Sequence, residues 1–506
     1  MSFRKRTLGW TLGIILACCS RLHADVEADK SLLKRPWFEA RTAHFHVYSC
    51  GPTQDVARVS ARLEQFRSAY AALAGAQSVV SPPIVVMAFP DVETMRPFLP
   101  LYNDKPVNLA GFFKHGSDEN LIVLTLSGNG GHALDVIFHE YTHLLLRHND
   151  RIWPLWLKEG MAEIYSTFNA GGHILEIGKP VEHHLRLLSQ GRWMPLHDLF
   201  RVGGDSPEYN EIEHQGVFYA ESWLLTQYLF CGDNPARKAR FGQLTVLLKQ
   251  GLSPEAAFVT AFQTTLPAME KELRAYLARG RFSGIQMTVG LDLSSPQPMS
   301  TRPVGRAEAS FRLGNELMRL DRLEAAAEFF NEAKRLAPES PLAYEGLGLL
   351  AAQRKNNAEA VDLLGQSLQR GSTSFLANYM HARLKFQATA SAQDRYKALK
   401  PDEAAEIRTE LQKSISLTPE FGGAHELLGF FELVQGENLA EAQSQLQRAI
   451  QLEPENQWYG ISLAQAQIRL KDKDGARRTL EPLCLPNVDP NTRSRAQEML
   501  RSLTRN

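Results

Sequence analysis

The sequence predicts an α+β domain followed by an all-α solenoid. Short apolar runs alternate with an amphipathic stretch between Trp37 and Leu124, helical spacing dominates from Ala133 to Ala278, and a Leu-Gly pair repeats with a helix-turn-helix period beyond residue 305. At 506 residues the chain has room for both parts.

The N-terminus comes first. Arg4, Lys5 and Arg6 precede an uncharged stretch from Thr7 to Ser20, the shape of a secretory signal. That stretch is shorter than the roughly 20 residues needed to cross a hydrocarbon core. Cleavage before Asp25 would remove residues 1–24, whereas Ile15-Leu16-Ala17-Cys18 resembles a bacterial lipobox that would leave Cys18 acylated as a lipid anchor. The expectation is an exported protein, located in the bacterial periplasm, at the outer membrane as a lipoprotein, or secreted. Lys plus Arg number 56 and Asp plus Glu number 56, so no net field draws the chain to nucleic acid, and a nucleic-acid partner is excluded. Cys50, Cys231 and Cys484 permit one disulfide at most, show no C-x-x-C spacing, and read as small buried hydrophobes.

Residues 25–285 form the first domain. Trp37 to Tyr48 alternates as a strand, with His44 and His46 as ordinary strand residues; Thr53 to Leu73 has helical spacing; Ile84 to Phe89 is a short apolar strand ended by Pro90. Gly111-Phe112-Phe113 leads through a polar turn to Leu121–Leu124, a candidate edge strand for an extended substrate. A break at Gly128, Gly130 and Gly131 precedes a helix from about Ala133 to Arg147. A second helix begins at Trp153-Pro154, and further helices follow at Val217 to Leu229, Arg237 to Lys249, Pro254 to Phe262 and Pro267 to Ala278. Residues 286–304, with Pro296, Pro298 and Pro303 among Ser, Thr and Gly, read as a linker.

The chemistry lies on the helix after the glycines. His139-Glu140-Tyr141-Thr142-His143 puts two imidazoles about one turn apart, so both project from one face and can close on a single ion. Neutral imidazoles suit Zn²⁺, and a third protein ligand would leave one position for water. Glu159, in Trp156-Leu157-Lys158-Glu159-Gly160-Met161-Ala162-Glu163, sits on the next helix and can return a carboxylate to the pair. The competing assignment makes Glu163 the ligand. His132, His148, His173, His183, His184, His197 and His214 read as surface or packing residues, with His214 near enough to Tyr219 in sequence to line a cleft.

H-E-Y-T-H followed by W-L-K-E-G-M-A-E resembles the gluzincin peptidases, and within them the peptidase-MA-like group. The resemblance implies an α+β gluzincin/thermolysin-like metallopeptidase domain in which His139, His143 and Glu159 bind zinc and Glu163 orients a ligating histidine. It also implies that Glu140 is the general base and that Tyr219, on a helix sixty residues after Glu159, donates to the tetrahedral oxyanion. A free-amine recognition segment found in aminopeptidase members has only an outline here, in Gly116-Ser117-Asp118-Glu119-Asn120, which a solvated turn explains equally well.

Residues 305–506 change character. Leu313-Gly314 recurs as Leu347-Gly348, a shift of 34, and Ala326, Phe330, Ala333 and Pro338 stand at matching helix-turn-helix offsets. Copies continue at Leu428-Gly429 and Leu463-Ala464, with a divergent one from Phe375 to Pro419 that carries an insertion around Thr389 to Lys400. This part resembles the tetratricopeptide family: about five hairpins and a closing helix near Arg493 to Leu503, whose concave face would hold a protein partner. The expected function is a zinc-dependent peptidase acting on a peptide or protein substrate, with repeats that recruit substrate or partner. The alternative is an exported scaffold of repeats with a vestigial or structural metal site.

Overall fold

The computed structural model describes residues 30–74, 84–102, 105–107, 109–116, 118–127, 131–146, 153–203, 206, 212–231, 234–290, 292–293, 299–390, 396–454, 456–485 and 488–505. The signal segment 1–24, with Cys18, and residues 128 and 130 of the glycine break lie outside them.

In the first half, strands β1 (Trp37–Arg41) and β2 (Phe45–Ser49) form a hairpin, helix α1 (Thr53–Ala74) crosses over, and β3 (Ile84–Phe89) returns parallel to β2. Strands β4 (Gly111–Lys114) and β5 (Asn120–Thr125) complete a second hairpin, with β5 parallel to β3. Helices α2 (Gly131–Leu146) and α3 (Leu155–Ser166) follow, then a small hairpin of β6 (Asn169–Gly171) and β7 (Ile174–Ile177). Next come α4 (Glu182–Ser189), α5 (Ile212–Thr226), α6 (Pro235–Lys249), α7 (Pro254–Phe262) and α8 (Leu266–Arg279). The proline at the first turn of each of α6, α7 and α8 fits its missing N–H and fixed φ.

Two sequence expectations need correction. The stretch 286–304 contributes strands at both ends: β8 (Ile285–Thr288) joins β7, and β9 (Ser300–Val304) pairs antiparallel with β1 from Trp37↔Val304 to Arg41↔Ser300. Pro303 is tolerated because β9 is an outer strand. The sheet order is therefore β9-β1-β2-β3-β5-β4, so Leu121–Leu124 is interior and the edge is Gly111–Lys114. A hairpin strand takes the outside position when its partner pairs with an earlier strand, and sequence spacing does not encode that non-local choice.

The sheet is buried on both faces, which is why β3 and β5 are unbroken apolar runs. Phe45, Val47, Ile84, Val86, Ala88, Ile122 and Leu124 point to one face and pack with α1, α2 and α3. Trp37, Tyr48, Val85, Met87, Phe89, Leu121 and Val123 point to the other, where the first solenoid helices cover them.

That solenoid consists of hairpins α9 (Arg306–Arg319) and α10 (Leu323–Leu336), α11 (Pro341–Gln353) and α12 (Asn357–Gln369), and α13 (Phe375–Gln387) and α14 (Pro401–Leu417). It continues with α15 (Gly422–Gln435) and α16 (Leu439–Leu452), α17 (Trp458–Arg469) and α18 (Lys473–Leu480), and closes with α19 (Pro490–Arg505). Gly348 explains the Leu-Gly signal, since a Cβ there would lie 2.8 Å from Leu364 Cγ of the paired helix. Phe329 and Phe98, 6.0 Å apart edge to face, and Arg312 stacked 4.4 Å above Tyr48 join the solenoid to the sheet. Among the described residues no helix is long and apolar enough to cross a membrane, and Cys50, Cys231 and Cys484 are free thiols.

Candidate metal centre

Helix α2 has two working faces. Phe138 stacks on Phe66 of α1 at 4.5 Å, and the Tyr141 hydroxyl accepts a hydrogen bond from Arg67 at 2.8 Å, so this side is fixed to α1. The four-residue spacing then turns His139 and His143 together towards α3. Helix α3 is buried nearly all round, with Trp156 stacked 5.1 Å from Phe200, and it delivers Glu159 with only 1% of its surface exposed.

The donors converge. His139 Nε2 and His143 Nε2 are 3.3 Å apart, and Glu159 Oε2 stands 3.4 Å from the first and 3.2 Å from the second. Two donors on one tetrahedral zinc stand roughly 3.3–3.5 Å apart, given bonds of about 2.1 Å. The spacing therefore suits a shared ion, and the donor set of two imidazoles and a carboxylate suits zinc.

The electrostatics agree. Burial would depress the His139 imidazole, yet Glu163, Glu159 and Glu140 outweigh it and raise the group to about 9. Burial would raise Glu159, but His143 and His139 hold its carboxyl below the usual range. Burial pushes Glu140 up to about 7 against the pull of both histidines. Glu140 Oε2 is buried and has no hydrogen-bond partner among the described residues. The charges that shift His139, Glu140 and Glu159 come from one another, from His143 and from Glu163, so three carboxylates are gathered around two imidazoles.

Glu163 stands behind His139 rather than among the donors, with Oε1 3.4 Å from His139 Nδ1. Its second oxygen lies 3.1 Å from His184 Nε2, a buried residue that the sequence reading took for packing. One signal pointed to it: His184 and Leu188 are four apart on α4 and share its buried face.

Tyr219 reaches the site through helix packing. Gly160 faces α5 so closely that a Cβ would lie 2.0 Å from Thr226 Oγ1 and 2.4 Å from the Ser222 carbonyl oxygen. That approach brings the Tyr219 ring to 6.1 Å from the His139 ring. Glycine is thus required after Glu159 by the neighbouring helix. The edge strand β4 lies alongside α2, with Phe113 stacked on Tyr141 at 6.3 Å.

Other histidines are placed elsewhere. His44 donates its backbone N–H to Glu64 and its Nδ1 lies 2.8 Å from Glu64; His46 faces Glu39 at 3.3 Å. Nothing is described of the His132 and His214 side chains, and His148 lies outside the described residues. The turn considered for amine recognition is engaged by the solenoid: Arg319 pairs with Asp118 at 2.5 Å and stands 3.5 Å from Glu119, to which Asn315 also donates.

Comparison with known proteins concerns the repeats. No curated protein matches the chain. Among solved structures, YrrB, a TPR protein with an unusual peptide-binding site, is 18% identical over 38% of this chain and 92% of that one, with a TM-score of 0.31. MamA 41-end from Desulfovibrio magneticus RS-1 is 18% identical over 39% of this chain and 96% of that one, at 0.29. PilF of Pseudomonas aeruginosa is 16% identical over 39% and 87%, at 0.31. Tetratricopeptide-repeat family models match residues 307–340 and 433–503. The C-terminal part of the chain therefore carries tetratricopeptide repeats, a class of solenoid that binds proteins along its concave surface.

Proposed function

We propose that the chain is an exported zinc-dependent peptidase of the gluzincin kind, with repeats that hold its substrate or a protein partner. The observation that carries this reading is the convergence of His139, His143 and Glu159 at zinc-like donor spacing beside Glu140. A structural metal site has no use for that additional buried carboxylate.

His139, His143 and Glu159 would hold the metal. Zinc there would supply a Lewis acid for the scissile carbonyl and a lowered pKa for water. Glu140, pushed up to about 7 by burial, is suited to take a proton from water and return it to the leaving amine. The Tyr219 ring stands 6.1 Å from that of His139, and its hydroxyl would donate to the developing oxyanion. β4 is the outer strand of the sheet, with Gly111, Phe112 and Phe113 buried, and it would offer main-chain pairing to an extended peptide, a role the sequence assigned to Leu121–Leu124.

Glu140→Gln keeps the shape and removes the base. Purified Glu140→Gln should retain one zinc per chain and lose about 10²–10⁴-fold in peptide-library turnover. Unchanged turnover would sink the mechanism.

A second reading is favoured by the family matches, all of which lie in the repeats. In it the chain is an exported scaffold, the repeats do the work and the metal is structural. Zinc-loaded wild type with no hydrolysis of any library peptide, but loss of folding on chelation, would select it.

A further inference from the structure

His184 is nearly sealed from solvent, at 2% exposure, on a short helix whose other described charged groups face outward. Its ring lies 5.8 Å from that of Trp223, itself fully buried on α5, and 4.1 Å from that of His183. Packing thus fixes the imidazole, and its Nε2 stands 3.1 Å from Glu163 Oε2, an ion-pair distance. The remaining oxygen of Glu163 faces His139 Nδ1 at 3.4 Å, and His139 Nε2 faces the donor cluster. Three side chains from α4, α3 and α2 therefore stand in series, and the last of them belongs to the donor cluster.

The series has a physical purpose. A terminal carboxylate torsion is broad, so a glutamate held at one oxygen can still swing. Held at both, it has one orientation. An Nδ1–H directed at a fixed carboxylate leaves His139 Nε2 as the acceptor for a cation.

Resting on the zinc reading above, we infer that His184 is a positioning residue: through Glu163 it sets the tautomer and aim of the His139 ligand. His184→Phe keeps an aromatic ring against Trp223 and removes the donor. His184→Gln places an amide nitrogen close to where Nε2 stands and restores it.

The test is zinc affinity of the full-length chain, by competition with a chromophoric chelator, with cobalt(II) absorption as a second readout and melting of the metal-free proteins as a control. Expected are one zinc in wild type, affinity about 10–100-fold weaker in His184→Phe with an altered cobalt band, and recovery of most of that loss in His184→Gln. In a Glu163→Ala background His184→Phe should have little further effect. Equal affinity in wild type and His184→Phe overturns the inference and leaves the zinc reading standing. Equal weakening in both variants, with a matching drop in metal-free melting temperature, also overturns it in favour of plain packing. A wild type that takes up no zinc overturns the zinc reading itself.

Discussion

His139, His143 and Glu159 meet where two buried helices cross, whereas His381, Glu406 and Glu410 meet in a groove lined by α12, α13 and α14 of the solenoid. Each set brings three histidine and carboxylate donors within 4.8 Å of one another, the composition of a metal site. They differ in what already balances the charge. Lys385 pairs with Glu406, and His381 Nδ1 sits 2.9 and 3.0 Å from the two oxygens of Glu410, direct ion-pair distances. Glu406 is also half exposed, so water serves it as well. In the first cluster the donors are almost wholly buried and stand at the longer spacing of ligands around an ion. Composition nominates both sites, and the close pairing of Lys385 with Glu406 and of His381 with Glu410 sets the second apart.

The comparison can be broken most directly by counting metal. His139→Ala should lower zinc affinity by at least about 100-fold, whereas His381→Ala should leave it unchanged, at one zinc per chain by elemental analysis. Two zinc ions per wild-type chain would end the distinction. A smaller effect separates how the clusters are built. Gly160→Ala would force a methyl into Thr226 and Ser222 and cost about 1–3 kcal/mol in denaturant melts. Gly365→Ala, whose Cβ would meet only His381 Nε2 at 3.4 Å, should stabilise α12 by about 0.4–1 kcal/mol. Equal destabilisation of the two would show that the first cluster does not depend on close helix approach. The smallest effect is expected of Lys385→Ala, which frees Glu406; divalent-cation binding in the groove should tighten by less than about tenfold, since an exposed ion pair contributes only ~1 kcal/mol or less. A tight zinc site in that variant would mean that Lys385 alone separates the clusters.

What the sequence revealed follows from distance along the chain. The pair His139 and His143 was legible because one helical turn fixes their relation, and Glu159 because the next helix carries it back after a short connection. The repeats were legible because the same Leu-Gly contact recurs. The strand at Ser300–Val304 was not, since Pro303 and small polar residues look like a linker until the partner at Trp37 is known. His184 was missed for the same reason: Glu163 lies on another helix, at a separation that no motif marks. One clue went unused. The unbroken runs of β3 and β5 state that both faces of the sheet are covered, and the long helices of the first domain cover only one, Leu32, Leu33, Met95 and Phe98 sharing the other with the solenoid.

That shared sheet also dictates an order of events during folding. The pairing of Trp37 with Val304, and a core that joins Leu32 to Leu384, leave the early strands incomplete until the repeats emerge. Until then β1 has an open edge, and Val85, Met87, Phe89 and Val123 lack the part of their cover that the solenoid supplies. The first hairpins of the solenoid are in this sense a chaperone built into the chain, needed by the nascent sheet before any partner reaches the groove.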